Sequence, residues 1–222
     1  MYKIVVDTSI QGGFLGLAET DSKIPGWIKS IKESRSSSMQ LASMLKSGMD
    51  YYSCSIEDIS NILVSTGPGS FTGIKIGLAF CYGLVRACPG ISLIGVSSFG
   101  LLYQKLCSIY EDVLLVVGST KTQGFINIDG NISNFNLTKK EDIARVEDKL
   151  LSSTTTISIG TWKEFESRFE KVHMLKLDTT ALHHMIFEAF CKYPLPQLDS
   201  SAKLSGSLPT PTYCREPSIF GN

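Results

Sequence analysis

The chain has 222 residues, 43% of them hydrophobic, with 21 basic against 21 acidic side chains. That length and apolar content can bury a sizeable core in one large domain or two small ones. A formal net charge of zero gives no overall field for gripping a nucleic acid or an anionic membrane face, so any RNA contact is expected to be local or indirect.

The opening MYKIVVD is a strand pattern without the order of a signal peptide. The longest apolar stretch, residues 76–88, carries Arg86 and is too short to cross a bilayer. Six cysteines without C-x-x-C spacing read as reduced thiols inside apolar segments. A cytoplasmic protein, not bound to membrane, is expected.

Three short strand patterns come first, at residues 3–7, 13–19 and 27–32, close enough to be hairpin neighbours. A helix is expected over 36–46, where Met39, Leu41, Ala42, Met44 and Leu45 cover more than one narrow stripe. A buried strand at 61–66, a helix at 72–87, a strand at 91–96 and a helix at 98–109 follow, giving β-β-β-α-β-α-β-α.

The remainder repeats this in outline. Strands are expected at 113–118, 124–129 and 132–137, the last two joined across Asp129-Gly130-Asn131, whose Asp-Gly pair suits a tight hairpin turn. A helix at 139–151, a strand at 155–160, a short helix at 162–169, a strand at 172–177 and a helix at 179–192 complete the second copy. Five of the eight prolines fall after Lys192, so most of the end is irregular. Tyr213, Ile219 and Phe220 favour docking of its last third on the body. The expected divisions are 1–110, 111–193 and a tail at 194–222.

The seam between the strand at 61–66 and the following helix reads STGPGSFTGIKIG. A glycine loop that opens a helix offers backbone N–H groups and a positive helix terminus to a phosphate. Here five residues separate Gly67 from Gly73, and Ile74 precedes Lys75, which breaks the P-loop pattern. The dinucleotide fingerprint is broken as well, by Pro68 and by the lack of an acidic residue about twenty positions on. The plainer reading is a tight turn at Gly67 to Gly69 with Ser70 or Thr72 as helix cap. Gly73 and Gly77 lie on one helix face, continued by Phe80 or Cys81 and by Leu84, a pattern that favours close approach of another helix.

The run GPGSFTGIKIGLAFCYGL from Gly67 to Leu84 resembles the signature of the TsaB (YeaZ) family, which acts in tRNA threonylcarbamoyladenosine synthesis. The early VVDTS and the late PTYCRE resemble that family's start and end. The resemblance implies an α/β fold of two RNase H-like lobes of the actin, sugar kinase and Hsp70 (ASKHA) type, βββαβα repeated. It also implies a non-catalytic subunit pairing with a larger catalytic TsaD-type paralogue through the helices at 36–46 and 72–87. The interface residues would then be Met39, Leu41, Ala42, Leu45, Gly73, Lys75, Ile76, Gly77, Phe80 and Leu84. A TsaE-type ATPase would join the complex, tRNA would be met indirectly, and a homodimer would form in the partner's absence.

Kinase-like members of the fold use a carboxylate at the end of the first strand of each lobe. Asp7 supplies the first, while Gly118, Ser119 and Thr120 stand at the second. A lone Asp7 reads more simply as a turn or capping residue. The paralogue's H-x-x-x-H metal helix has no counterpart in VSSFGLLYQKL, and His183 and His184 point to different sides of a helix, one packed and one solvated. No catalytic residue and no metal site is expected. The alternatives are a phosphotransferase or peptidase-like enzyme, or a module binding ATP or ADP through Asp7, Ser9, Gly69 and Ser70, with a nucleotide expected only at the partner interface.

Overall fold

The computed structural model describes residues 1–10, 12–31, 37–159, 163–170, 172–195 and 209. The chain order is β1 (Tyr2–Asp7), β2 (Phe14–Glu19), β3 (Trp27–Ser30), α1 (Ser37–Tyr52), β4 (Ile59–Ser65), α2 (Phe71–Ala87), β5 (Ser92–Val96) and α3 (Ser98–Cys107). It continues with β6 (Val113–Gly118), β7 (Gln123–Ile128), β8 (Asn131–Asn136), α4 (Lys140–Ser152), β9 (Thr155–Ile159), α5 (Lys163–Arg168), β10 (Met174–Lys176) and α6 (Thr179–Lys192).

Two five-stranded sheets result, ordered β3-β2-β1-β4-β5 and β8-β7-β6-β9-β10. In each, the first three strands are antiparallel neighbours and the last two join the first in parallel. The repeated βββαβα unit of two RNase H-like lobes is therefore present twice. Central strands are covered on both faces and read as unbroken apolar runs, as in Ile4-Val5-Val6 and Val113 to Val117, all buried. The β7–β8 hairpin closes through Asp129 and Gly130, both with positive φ, as the Asp-Gly pair dictates.

Beyond strand ends that shift by one to three residues, two helix ends and one lobe assignment differ from the sequence pattern. Helix α1 runs to Tyr52, six residues past the expected end. Gly48 does not stop it but makes room for Trp27 of β3, whose Cε3 lies 2.9 Å from where a Cβ would stand. Helix α3 ends at Cys107, where the N–H groups of Ile109 and Tyr110 turn back to the Leu106 carbonyl.

The third difference concerns lobe membership. Chain order assigned α6 to the second lobe, residues 111–193, but the compact units are Met1–Leu102 with the stretch from Asp178, and Tyr103–Leu177. The Phe187 ring of α6 fills the space over Gly16 of β2, at 2.6 Å from a would-be Cβ. His183 Nδ1 and Ser30 Oγ share a hydrogen bond of 2.8 Å. The Lys3 ammonium donates to the carbonyls of Thr20, Ser22 and Cys191 at 3.0, 2.8 and 3.1 Å. Burial of Phe187 and Phe190 alone contributes about 2 kcal/mol each.

The second unit has its own core, in which Leu114, Val116, Ile126, Phe135, Val146, Leu150 and Phe165 cluster. Of the expected tail, 194–222, only residues 194, 195 and 209 are described. The expected docking of Tyr213, Ile219 and Phe220 lies outside the described residues.

Candidate functional site

The glycine loop leaves β4 at Ser65, turns through Gly67 at φ 94° and enters α2 at Ser70. Ser70 is the helix cap: its side chain accepts from the Gly73 N–H at 3.2 Å, which settles the choice between Ser70 and Thr72. The loop's donors turn inward. Gly67 N–H donates to Ser65 Oγ at 3.2 Å, Ser70 N–H to the Ser9 carbonyl at 2.7 Å and Ile74 N–H to the Ser70 carbonyl at 2.9 Å. Gly69 lies so close to the Ser9 carbonyl that any Cβ would collide with it. The Ser70 N–H thus ties the glycine loop to the loop after β1, and the other two bond within the strand–helix seam itself.

Beneath the loop lies a closed polar cluster. Asp7 is 1% exposed, and its Oδ1 accepts from both the N–H and the hydroxyl of Ser9, each at 2.7 Å. The Ser9 hydroxyl is also 2.8 Å from Ser65 Oγ and 3.2 Å from Ser98 Oγ, with Ser65 and Ser98 2.8 Å apart. Because the single Ser9 proton goes to the carboxylate, Ser9 must accept from a neighbouring serine. A chain of hydroxyls ending on Asp7 results, each bond polarising the next. Asp7 Oδ2 has no hydrogen-bond partner among the described residues. Of the four candidate nucleotide contacts, Asp7, Ser9 and Gly69 are buried and Ser70 alone is exposed.

The expected partner face divides. A Cβ on Gly73 would meet the Thr8 carbonyl oxygen, and one on Gly77 the Thr8 hydroxyl and, at 3.7 Å, Val6 Cγ1. The two glycines therefore admit the end of β1 from within the same unit, correcting their reading as a surface for another helix. Leu41 and Leu45 are core residues, while the side chain of Met39 lies outside the described residues. Ala42 and Lys75 are exposed, and Ile76, Phe80 and Leu84 are half-buried. The Lys75 ammonium sits 4.0 Å from the centroid of the Phe71 ring.

Sequence reading missed Ala79 and Gly83, both exposed on α2, with nothing among the described residues within 4 Å of a would-be Cβ on Gly83. Helical spacing places Thr72, Ile76, Ala79 and Gly83 on one outer stripe. The signal was available, since a glycine in the last turns of a regular helix has no local reason to be there.

In the second unit, Ser119 and Thr120 N–H groups both donate to the Gln123 carbonyl, at 2.9 and 3.0 Å, closing the turn where a kinase-like carboxylate would stand. His183 is buried and His184 exposed, as their adjacent positions on a helix imply. No group of three or more His, Cys, Asp or Glu side chains converges among the described residues. No helix among them is long and apolar enough to cross a membrane.

The TsaD family model, described as tRNA N6-adenosine threonylcarbamoyltransferase, matches residues 28–186. The chain belongs to the TsaD family. The TsaD-family chain also shares its fold with two solved structures. A protein from Pseudomonas aeruginosa described as similar to peptidase YEAZ is 17% identical, with 96% of this chain and 99% of that one covered at a TM-score of 0.60. YeaZ from Pseudomonas aeruginosa is 18% identical, with 85% and 91% covered at 0.56. No curated protein matches the sequence. This member of the TsaD family is thus TsaB-like in fold.

Proposed function

We propose that the chain is a non-catalytic subunit required for N6-threonylcarbamoyl modification of the tRNA adenosine beside the anticodon, acting by binding and organising a catalytic TsaD-type paralogue. The observation that carries this reading is the outer stripe of α2, where Gly83 faces open space beside Ala79, Ile76 and half-buried Phe80. A mid-helix glycine costs about 1 kcal/mol relative to alanine. Close approach of a second backbone offsets that cost, as small residues do at helix contacts.

In this reading the Asp7 cluster holds the lobe in shape rather than holding phosphates. Its carboxylate is buried and bonded to Ser9, which Ser65 and Ser98 hold in turn. A nucleotide would bind, if anywhere, only where the partner meets the loop at exposed Ser70. A TsaE-type ATPase completes the complex, tRNA is reached through the paralogue, and the isolated chain pairs with itself through the same α2 face. The cytoplasm is the proposed compartment.

The test is reconstitution. Threonylcarbamoyladenosine formation on tRNA is measured with the purified paralogue and ATPase, with and without this chain, after isolation of the tagged chain from its native host to identify the paralogue. Product is expected only when chain and paralogue are both present. Full product without this chain, or product from this chain alone, would overturn the reading.

A further inference from the structure

We propose that Tyr82 and Gly95 form a socket that holds the chain at Pro209 against the first unit. Two independent contacts meet there. The Tyr82 hydroxyl, on a flank of α2, donates a short hydrogen bond to the Pro209 carbonyl. Gly95, in the edge strand β5, leaves the space that Pro209 occupies: a Cβ on Gly95 would come within 2.5 Å of Pro209 Cβ and 2.7 Å of Thr66 Cγ2.

The chemistry of the pair suits a proline. A tyrosine offers a rigid apolar ring with a polar tip, and a proline has a fixed φ and little conformational freedom to lose on docking. A Cβ on a strand points out of the sheet plane, so Pro209 packs over the face of β5 at Gly95, beside Thr66.

The tether permits the docking. Helix α6 ends at Lys192, and the 17 residues from there to Pro209 span up to roughly 55 Å when extended. A tethered segment of this length meets its socket at an effective concentration on the order of millimolar, so modest contacts suffice to keep it seated. Tyr82 lies on α2 away from Phe80 and Leu84, on the side of Ala79 three residues before it.

Trypsin cleavage of the full-length chain tests it, because Lys203 and Arg215 lie six residues on either side of Pro209. Cleavage of a transiently released segment follows the population released. Loss of one hydrogen bond in Tyr82→Phe is expected to accelerate both cuts about fivefold. Pro209→Asp and Gly95→Val are expected to accelerate them about tenfold or more, since each removes the fit itself. Gly95→Val can also disturb β5 through Thr66, so Pro209→Asp, located in the segment, decides. Rates for Pro209→Asp within twofold of the parent chain would overturn the socket.

Discussion

The Thr8 hydroxyl donates to the Gly73 carbonyl at 2.7 Å, while the Thr8 carbonyl oxygen stands where a side chain on Gly73 would have to go. The loop after β1 and the first turns of α2 are thus locked by a hydrogen bond and by the lack of a side chain at the same point.

Any side chain at Gly73 or Gly77 is therefore expected to damage the fold before it touches a partner. Gly73→Ala, forced against backbone, should lower unfolding stability by about 3 kcal/mol, and Gly77→Leu by at least as much. Gly83→Ala, in open space, should raise it by up to about 1 kcal/mol. Urea unfolding midpoints of the three variants check the order. A Gly73→Ala chain as stable as the parent would contradict the described contact.

The Asp7 cluster predicts an asymmetry between its members. Ser9→Ala removes the hydroxyl bonded to Asp7 and reached by Ser65 and Ser98, leaving a buried carboxylate less satisfied, at a cost of about 2 kcal/mol. Asp7→Asn removes a buried charge whose Oδ2 lacks a partner, so it should be close to neutral in the same unfolding assay. In parallel, calorimetric titration of the isolated chain with ATP or ADP is expected to show no binding. A dissociation constant tighter than about 1 mM would restore a nucleotide role to this cluster.

Thiol labelling separates buried from accessible cysteines. Burial pushes the Cys191 thiol up to about 11 and raises that of Cys81 further, whereas Cys107 is exposed. At pH 8, Cys191 should hold about a hundredfold less thiolate than a thiol at the ordinary value of 9. Cys107, being exposed, should label first, with Cys81 and Cys191 waiting for unfolding. The sign of the pH effect follows. A proton kept by the folded chain and released by the unfolded one stabilises fully below about pH 9, and this contribution is lost as pH rises toward 11. Cys191→Ala should reduce that alkaline loss. Labelling of Cys191 as fast as Cys107 in the native chain would refute the burial argument.

The order of elements and the duplication were legible because central strands bury both faces and helices bury one, so each leaves its own apolar period in the chain. Gly73 and Gly77 were legible as a close-contact face, but not what fills it. Small residues four apart accept either a foreign helix or the chain's own backbone, and only the position of Thr8 decides. Lobe membership of α6 was equally hidden: its apolar face fits any sheet, and the complement to Phe187 is a glycine, Gly16, far away in the chain. Of the hydroxyl cluster, only the pairing of Ser9 with Asp7 was legible. Serine is a common surface residue, and nothing local marks Ser65 and Ser98 as buried and bonded to Ser9.

The outer stripe of α2 gives the proposed pairing its most direct test. Gly83 has no neighbour among the described residues that a side chain would displace, so Gly83→Leu should fold at least as well as the parent, with a small gain in helix propensity. If a partner backbone packs against that position, the new side chain holds the two helices apart and removes the centre of the contact. A loss of about 2 kcal/mol or more, roughly thirtyfold in the dissociation constant, is then expected. Titration calorimetry with the purified paralogue reads the affinity, and sedimentation of the chain alone reads self-pairing through the same face. Unchanged affinity in a folded Gly83→Leu chain would move the interface off α2. Loss of affinity together with loss of self-association would place both on one surface, since a single helix stripe then serves either partner.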